Sequence, residues 1–266
     1  IGYLMYNAFT NEFDEQLNDV FGEFKSAGIS DLVLDLRYNP GGSVNSARLL
    51  SSMIYGTYTN SVFLKARYNQ KLQLEFKDTD LIEFFADKTD NNTPINTLGL
   101  SKVYILATGS SASASELVMN GLDPYIDVIH IGTATTGKNE FSVTFVDDFE
   151  NGNVYSPDRE DKINPENQWA IQPLIGRNEN ANGFSEYTNG LIPNITLKED
   201  LSNLGILGNM NEPLLAKAIA EITGISAKAS FTVDMPVELI SSSKMFTKIK
   251  DNMFMDIKNP LNLTKK

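Results

Sequence analysis

Strand-like and helix-like segments alternate along the first 132 residues of this 266-residue chain. The short apolar runs typical of buried strands are 1–6, 31–36, 103–107 and 127–132. The segments with helical spacing of apolar residues are 11–27, 44–55 and one that ends near 121. Because parallel strands need a crossover connection, this alternation predicts an α/β architecture with a partly parallel sheet.

Beyond this alternating region the pattern is less regular. Residues 62–68 and 71–76 suggest a β-hairpin, and the acid-rich stretch 77–97 is typical of a surface excursion. Alternation of apolar and polar residues after 140 predicts a further strand. A helix is predicted over 211–222, capped by Asn211 or Glu212.

The stretch 225–266 differs in composition from the rest, with more lysine and one predicted strand at 231–240. The sequence therefore divides into a core domain, 1–224, and a C-terminal extension of unknown role, 225–266. The chain opens directly on an apolar stretch that is typical of a strand inside a domain, without a signal peptide. We therefore expect a region that precedes residue 1 in a longer protein.

Composition excludes several classes of function. The formal net charge of −12 argues against nucleic acid and anionic membrane surfaces, which need a basic patch. The chain has no cysteine, which removes disulfides, thiolate metal sites and cysteine nucleophiles, and its single histidine disfavours zinc. No apolar run is long enough to span a membrane. We predict no cofactor and no metal.

The chemistry-bearing residues fall in three short segments. Ser113 lies in the run Gly-Ser-Ser-Ala-Ser-Ala-Ser-Glu at 109–116, and Lys138 follows 25 residues later in Thr-Thr-Gly-Lys. The third segment, Asp-Leu-Arg-Tyr-Asn-Pro-Gly-Gly, occupies 35–42. A serine hydroxyl becomes a good nucleophile only when a base takes its proton. Lysine serves as that base if burial in an apolar pocket lowers its pKa towards neutrality.

His130 is the alternative base, but it lies between two isoleucines in an apolar strand, where a core role is expected. Ser113 stands where a strand and a glycine turn lead into a helix, whose first backbone N–H groups have no partner within the helix. The amide of Ala114 is therefore a candidate oxyanion donor. The second donor is expected from the turn that contains Gly41 and Gly42, where glycine permits close approach of the backbone.

These three segments, in this order and at this spacing, resemble the carboxyl-terminal processing peptidases of the S41 family. The resemblance covers about residues 1–222 and implies a crotonase-like core, shared with the Clp proteases, with a mixed sheet and flanking helices. It implies a serine endopeptidase in which Ser113 is the nucleophile, Lys138 is the base and Gly41 belongs to the oxyanion hole. It also implies protein or peptide substrates, cleaved near their C-terminal ends, and work outside the cytoplasm.

The sequence departs from the family pattern in two places. Many members carry a glutamine four residues after the lysine, where it orients the amine. Here that position is Ser142, whose shorter hydroxyl is the candidate lysine-orienting group. Members also commonly carry a PDZ domain, and no such domain is present in this sequence, so the expected missing N-terminal region is a candidate place for it.

Other interpretations remain beside the peptidase. The Ser/Ala run also fits a helix N-cap, with Ser113 or Ser115 as the cap and Glu116 in the first turn. The segment 132–139 nearly matches a phosphate-binding loop, but Asn139 replaces the magnesium-binding hydroxyl and a strand pattern follows. The Ser-x-x-Lys at 241–244 lacks its companion motifs. A non-catalytic ligand- or peptide-binding module on the same fold is the main alternative.

Overall fold

The computed structural model of the chain describes residues 1–150, 152–167, 169–225 and 253–255. The predicted strand at 231–240 lies outside these ranges. The strands are β1 (Gly2–Met5), β2 (Leu32–Asp35), β3 (Val62–Tyr68), β4 (Ile82–Phe84), β5 (Lys102–Ala107), β6 (Asp127–Gly132), β7 (Glu140–Ser142), β8 (Leu174–Glu179) and β9 (Ile195–Thr196). The helices are α1 (Asp14–Ser26), α2 (Val44–Tyr55), α3 (Gln70–Gln73), α4 (Ala114–Leu122) and α5 (Pro213–Thr223). Short 3₁₀ turns occupy Asn11–Phe13, Asp78–Leu81 and Pro157–Lys162.

A five-stranded parallel sheet in the order β1-β2-β5-β6-β9 forms the centre of the molecule. Its central strands are buried on both faces, which explains why they appear in the sequence as continuous apolar runs. Leu34, Ile105 and Leu117 belong to the larger core, which also takes in buried side chains of α1 and α2. On the opposite face, Val33 and Leu106 pack with Leu214 and Leu215 of α5.

The second sheet is antiparallel, four-stranded and ordered β4-β3-β8-β7. Phe63 and Ile175 join it to the main core. The two sheets and their covering helices confirm the predicted α/β architecture with parallel and antiparallel pairing.

The carboxyl ends of β2, β5 and β6 meet at one edge of the parallel sheet. Asp35 is in register with Leu106, and Ala107 is in register with Gly132. The loops that follow these three strands are 36–43, 108–113 and 133–139, and they carry all three motif segments. In open parallel sheets ligands bind beyond the carboxyl ends of the strands, so the topology gathers the motifs where a site is expected.

The hairpin prediction is wrong in its second half. β3 forms as predicted, but its partners are β4 and β8, and residues 70–73 form the short helix α3. The Asn69 side chain accepts a hydrogen bond from the Leu72 N–H and so caps this helical turn. Local capping by an asparagine outweighs the strand-like composition that follows it.

The stretch 77–97 is not simply a surface excursion. Leu81, Phe85 and Ile95 are buried, and the Phe85 ring packs edge-on against Tyr55 and Phe63. Because acidic residues surround these apolar positions, the sequence pattern does not indicate that they are buried. The strand predicted after 140 forms but ends at Ser142. Helix α5 begins at the predicted place, with Glu212 as its cap.

Candidate active site

Ser113 is the residue immediately before α4, at the end of the turn that follows β5. Its backbone has φ 64° and ψ −114°, a conformation that non-glycine residues rarely adopt. The residue is fully buried, and its hydroxyl oxygen has no hydrogen-bond partner in the part of the chain that the structure describes. A strained serine between a strand and a helix is the local geometry of a nucleophile elbow, although the Gly-x-Ser-x-Gly sequence is absent.

Hydroxyl groups of the Ser/Ala run attach the turn after β2 to the turn after β5. The Ser111 hydroxyl donates to the Leu36 carbonyl at 2.7 Å, and the Ser115 hydroxyl donates to the Asn39 carbonyl at 2.9 Å. The Ala112 N–H donates to the same Asn39 carbonyl at 3.1 Å. Each of these two hydroxyls binds a buried backbone carbonyl, which explains the serines at 111 and 115 of the run.

Gly41 lies directly against Ser113. A Cβ atom built on Gly41 would come within 2.6 Å of the Ser113 Cβ and 2.9 Å of the Ala114 nitrogen, and the glycine has φ 108°. Only glycine permits both this contact and this backbone conformation. The structure therefore brings Gly41 of one predicted segment against Ser113 and Ala114 of another.

The two glycines of the turn differ in what their amides do. The Gly41 N–H donates to the Asn39 side-chain oxygen at 2.9 Å. The Gly42 and Ala114 amides donate no hydrogen bond within the described ranges. Of the two glycines, Gly42 is therefore the one with an amide still available to a ligand in this structure.

The Glu116 carboxylate connects the serine segment to the lysine segment. Its Oε2 atom accepts hydrogen bonds from the Ser113 N–H at 2.8 Å and from the Lys138 N–H at 2.9 Å. Since both amides bind one oxygen, the two nitrogens lie no more than about 6 Å apart. The Oε1 atom accepts from the Gly137 N–H at 2.6 Å and from the Thr135 hydroxyl at 2.5 Å.

Glu116 is buried, and this burial raises its pKa, while the hydroxyl of Thr135 and the amides of Ser113, Gly137 and Lys138 act in the opposite direction. The sequence alone predicts for Glu116 only a place in the first turn of a capped helix. The Ser-x-x-Glu spacing was the available signal, since a glutamate three residues after an N-cap position folds back onto the backbone of that residue.

A buried ionic network links the turn after β2 to helix α5. The Arg37 guanidinium contacts Asp35 at 3.0 Å and makes a two-pronged contact with Glu212 at 2.8 and 2.9 Å. Burial alone would lower the pKa of Arg37, but the hydrogen bonds with Glu212 and Asp35 raise it above its usual range. Because Glu212 caps α5, the network fixes that helix and the glycine turn to each other.

Ser142 contacts a short segment near the C-terminus. Its hydroxyl donates to the Met253 carbonyl at 3.1 Å, and its N–H donates to the same carbonyl at 2.8 Å. Its suggested lysine-orienting role stays a prediction. The Ser113 hydroxyl makes no hydrogen bond with the Lys138 amine in this conformation, and the role of Lys138 as the base also stays a prediction.

His130 lies in β6 and is buried, as the sequence predicts. Its Nε2 atom contacts the Ala107 carbonyl at 3.2 Å, and burial lowers its pKa.

Lys138 is followed by β7 and not by a helix, so the local fold does not match a phosphate-binding loop.

Within residues 1–150, 152–167, 169–225 and 253–255, no group of three or more His, Cys, Asp or Glu side chains is arranged to hold a metal ion. Over the same ranges, no helix has the length and apolar character of a membrane span.

Known proteins are similar to this chain in sequence. A protein of Staphylococcus aureus (strain N315) named as a CtpA-like serine protease is 28% identical over 144 residues, which are 54% of this chain and 26% of the relative. A protein of the same name from Staphylococcus epidermidis (strain ATCC 12228 / FDA PCI 1200) is 30% identical over 144 residues, with the same coverage. The match thus spans about a quarter of the length of these curated relatives.

Solved structures agree. A protein of Bacteroides fragilis NCTC 9343 named as an S41 protease has a TM-score of 0.68 and 30% identity, over 85% of this chain and 55% of that one. A peptidase-named protein of Parabacteroides merdae ATCC 43184 has a TM-score of 0.51 and 15% identity, over 86% and 63% of the two chains, and this likeness concerns the fold alone. These likenesses confirm the predicted protease fold.

The model of Peptidase family S41 matches residues 1–177, well over half of the chain. The matched region contains the glycine turn, the Ser/Ala run and the Gly-Lys pair, the same segments that the fold gathers at the edge of the parallel sheet. The chain belongs to peptidase family S41, a family of serine-type peptidases.

Proposed function

We propose that this chain is the catalytic core of a serine endopeptidase, with Ser113 as the nucleophile and Lys138 as the general base. Its substrates in this proposal are proteins or peptides, cleaved in their C-terminal regions. Support comes from the family, from relatives named as CtpA-like serine proteases, and from the site.

The observation that carries the proposal is the shared carboxylate oxygen of Glu116. It binds the backbone amides of Ser113 and Lys138 at 2.8 and 2.9 Å, so residues 25 positions apart in sequence are adjacent in space. A base must reach the proton that it removes, and backbone proximity is the first requirement for that reach. The strained backbone of Ser113 supports the same assignment, because strain persists where surrounding contacts enforce it.

The proposed reaction begins when the neutral Lys138 amine takes the proton of the Ser113 hydroxyl. The serine oxygen attacks the scissile carbonyl carbon, and the carbonyl oxygen becomes an oxyanion. The lysine ammonium then gives its proton to the leaving amine as the C–N bond breaks. Water, deprotonated by the same amine, hydrolyses the acyl-enzyme ester and regenerates the serine.

The proposed oxyanion donors are the Ala114 amide and the amide of Gly42 or Gly41. Gly42 is the better candidate in the conformation described, since the Gly41 amide binds Asn39. Donors aimed at the tetrahedral oxygen, and not at the ground-state carbonyl, lower the barrier most.

The test is cleavage of a permanently unfolded protein, with products identified by mass spectrometry. We expect cleavage by the parent chain and none by the Ser113→Ala and Lys138→Ala variants, whose folding is checked by circular dichroism. The matched control is Lys217→Ala, which removes an exposed lysine of α5 far from the motifs in sequence. Equal activity of parent and Ser113→Ala would refute the proposal. Tight binding of peptides without cleavage by the parent chain would favour the non-catalytic binding module.

A further inference from the structure

Three residues near the C-terminus, Met253–Met255, lie as a strand beside the proposed catalytic segments. Phe254 forms parallel bridges to Ser43 on one side and to Ser142 on the other. On the first side, the Phe254 N–H donates to the Gly42 carbonyl at 3.3 Å, and the Val44 N–H donates to the Phe254 carbonyl at 3.1 Å.

On the second side, the Ser142 N–H donates to the Met253 carbonyl at 2.8 Å, and the Met255 N–H donates to the Ser142 carbonyl at 3.2 Å. The three-residue strand is therefore paired along both edges. Because paired strands lie about 4.8 Å apart, its two flanking segments are separated by about 10 Å. This separation defines a slot one strand wide, lined by backbone donors and acceptors on both sides.

Side chains of the strand fill apolar surroundings. Met253 is fully buried in the main core, and the Asn178 side-chain nitrogen lies 2.9 Å from its sulfur. The Tyr68 hydroxyl lies 3.3 Å from the Met255 sulfur. The slot thus accepts flexible apolar side chains at alternate positions of an extended peptide.

The slot is continuous with the proposed active site. One wall begins at Gly42, next to the Gly41 that packs on Ser113, and the other contains Ser142, four residues after Lys138. In a parallel ladder, alternate amides of one strand face the partner strand. The Gly42 amide, which has no partner within the described ranges, is therefore the next donor along this wall and faces the carbonyl of a longer bound strand.

The same region is closed to solvent. Ser113 and Ala114 have no exposed surface, and Gly41 and Gly42 are buried as well. Attack on a peptide carbonyl requires contact between that carbonyl and the Ser113 hydroxyl, so the closed arrangement has to open before a substrate can react. A short strand held by four backbone hydrogen bonds lies against Gly42, one of these buried residues.

We propose that residues 253–255 occupy the peptide-binding slot of the active site as an internal pseudosubstrate. They hold the site closed, and a substrate enters as an extended strand with apolar residues at alternate positions that displaces them. This inference rests on the proposed function in one respect: it takes Ser113 as the nucleophile to which the slot leads.

The test uses a double variant of the full chain, Phe254→Pro with Met255→Pro. It removes both N–H groups that the strand donates, to Gly42 and to Ser142. The matched control is Phe254→Leu with Met255→Leu, which keeps both N–H groups and the apolar character. The first measurement is the affinity for a fluorescently labelled peptide with the sequence of residues 250–258, which is determined from its fluorescence anisotropy.

We expect the peptide to bind the proline variant at least about tenfold more tightly than the parent or the leucine control, since two backbone hydrogen bonds no longer compete with it. Cleavage of an unfolded protein should rise by a similar factor in the proline variant, and the added peptide should suppress it competitively. Equal peptide binding by the folded proline variant and the parent would overturn the inference. If the parent chain cleaves the substrate, equal or lower cleavage by the proline variant would also overturn it, because the strand would then only complete the sheet.

Failure of the proposed function gives a different result. If no variant cleaves any substrate but the peptide still binds the proline variant selectively, the slot and its internal occupant are established and the catalytic proposal fails. If the proline variant does not fold, Met253→Ala weakens the same strand through its buried side chain and leaves the backbone donors intact. Unchanged peptide binding by folded Met253→Ala would then refute the inference.

Discussion

Replacement of Glu116 by glutamine tests whether one carboxylate positions both proposed catalytic residues. Its Oε2 atom accepts the N–H groups of Ser113 and Lys138, and its Oε1 atom accepts the N–H of Gly137 and the hydroxyl of Thr135. A glutamine side chain has one acceptor oxygen and one donor NH₂ group. Whichever way the amide faces, the NH₂ group meets two donors.

The expected change in the free energy of unfolding follows from the more favourable of the two orientations of the glutamine amide. With the NH₂ group towards Thr135, the hydroxyl can rotate and accept, but the Thr135 O–H and the Gly137 N–H both lose the carboxylate oxygen as acceptor. A buried N–H without a partner costs about 1–3 kcal/mol, and hydrogen bonds to the remaining neutral oxygen are weaker than those to a carboxylate. Burial disfavours the charged form of Glu116, as its raised pKa shows, and an uncharged glutamine escapes this penalty. This gain offsets part of the lost stability. We expect the free energy of unfolding to fall by about 2 kcal/mol.

The expected kinetic effect is larger than the effect on stability. Displacement of Gly137 shifts the adjacent Lys138, and a misplacement of about 1 Å costs about 100-fold in rate. The loss should appear in kcat more than in KM, because Glu116 contacts backbone amides of the proposed catalytic residues.

Urea unfolding and steady-state cleavage of an unfolded protein measure the two effects. The matched control is Glu221→Gln, which neutralises a glutamate that is 38% exposed and paired with Lys217. The control should change stability by less than about 0.5 kcal/mol and leave cleavage unchanged. If Glu116→Gln behaved like this control in both assays, the carboxylate would not position the site.

Three further substitutions test other parts of the structure. Gly41→Ala puts a Cβ atom 2.6 Å from the Ser113 Cβ, so kcat/KM should fall at least about 100-fold, and a near-parental value would contradict the close packing. Glu212→Ala leaves the buried Arg37 charge without its two-pronged partner and should cost about 3 kcal/mol in urea unfolding, whereas a loss below about 1 kcal/mol would mean that Asp35 and Glu199 alone compensate the charge. Burial lowers the pKa of His130, so the unfolded chain binds its proton more tightly and stability falls as the pH drops below the ordinary histidine value of 6.5. His130→Gln should flatten that acid-side fall and leave the pH profile of cleavage unchanged, and an inactive folded variant would instead make His130 the base.

The sequence predicts the parallel half of the fold well, because strands buried on both faces leave continuous apolar runs. β6 (Asp127–Gly132) and α2 (Val44–Tyr55) have the predicted bounds. The antiparallel sheet is harder to predict because β3 pairs with β8, more than 100 residues away, and no local pattern encodes that partner. Asn69 adds a second difficulty, since its capping bond converts a strand-like stretch into a helical turn.

At the site, residue types and order identify which segments meet but not how each atom is used. The two glycines of the turn look equivalent in sequence, yet an Asn39 side chain engages the Gly41 amide and leaves that of Gly42 available. Glu116 has the sequence signature of a helix cap, and only the fold brings the loop of Lys138 onto the same carboxylate. The strand at 253–255 could not be predicted at all, because its pairing partners lie more than 100 residues earlier in the chain.

Covalent labelling by a serine-directed fluorophosphonate, mapped by mass spectrometry, tests the Ser113–Lys138 assignment most directly. We predict that the label attaches to Ser113 and that the labelling rate rises with pH as the Lys138 amine loses its proton. In folded Lys138→Ala the rate should fall at least about 100-fold, the usual contribution of a general base. Labelling of a different serine, or labelling of Lys138→Ala at the parental rate, would contradict the assignment.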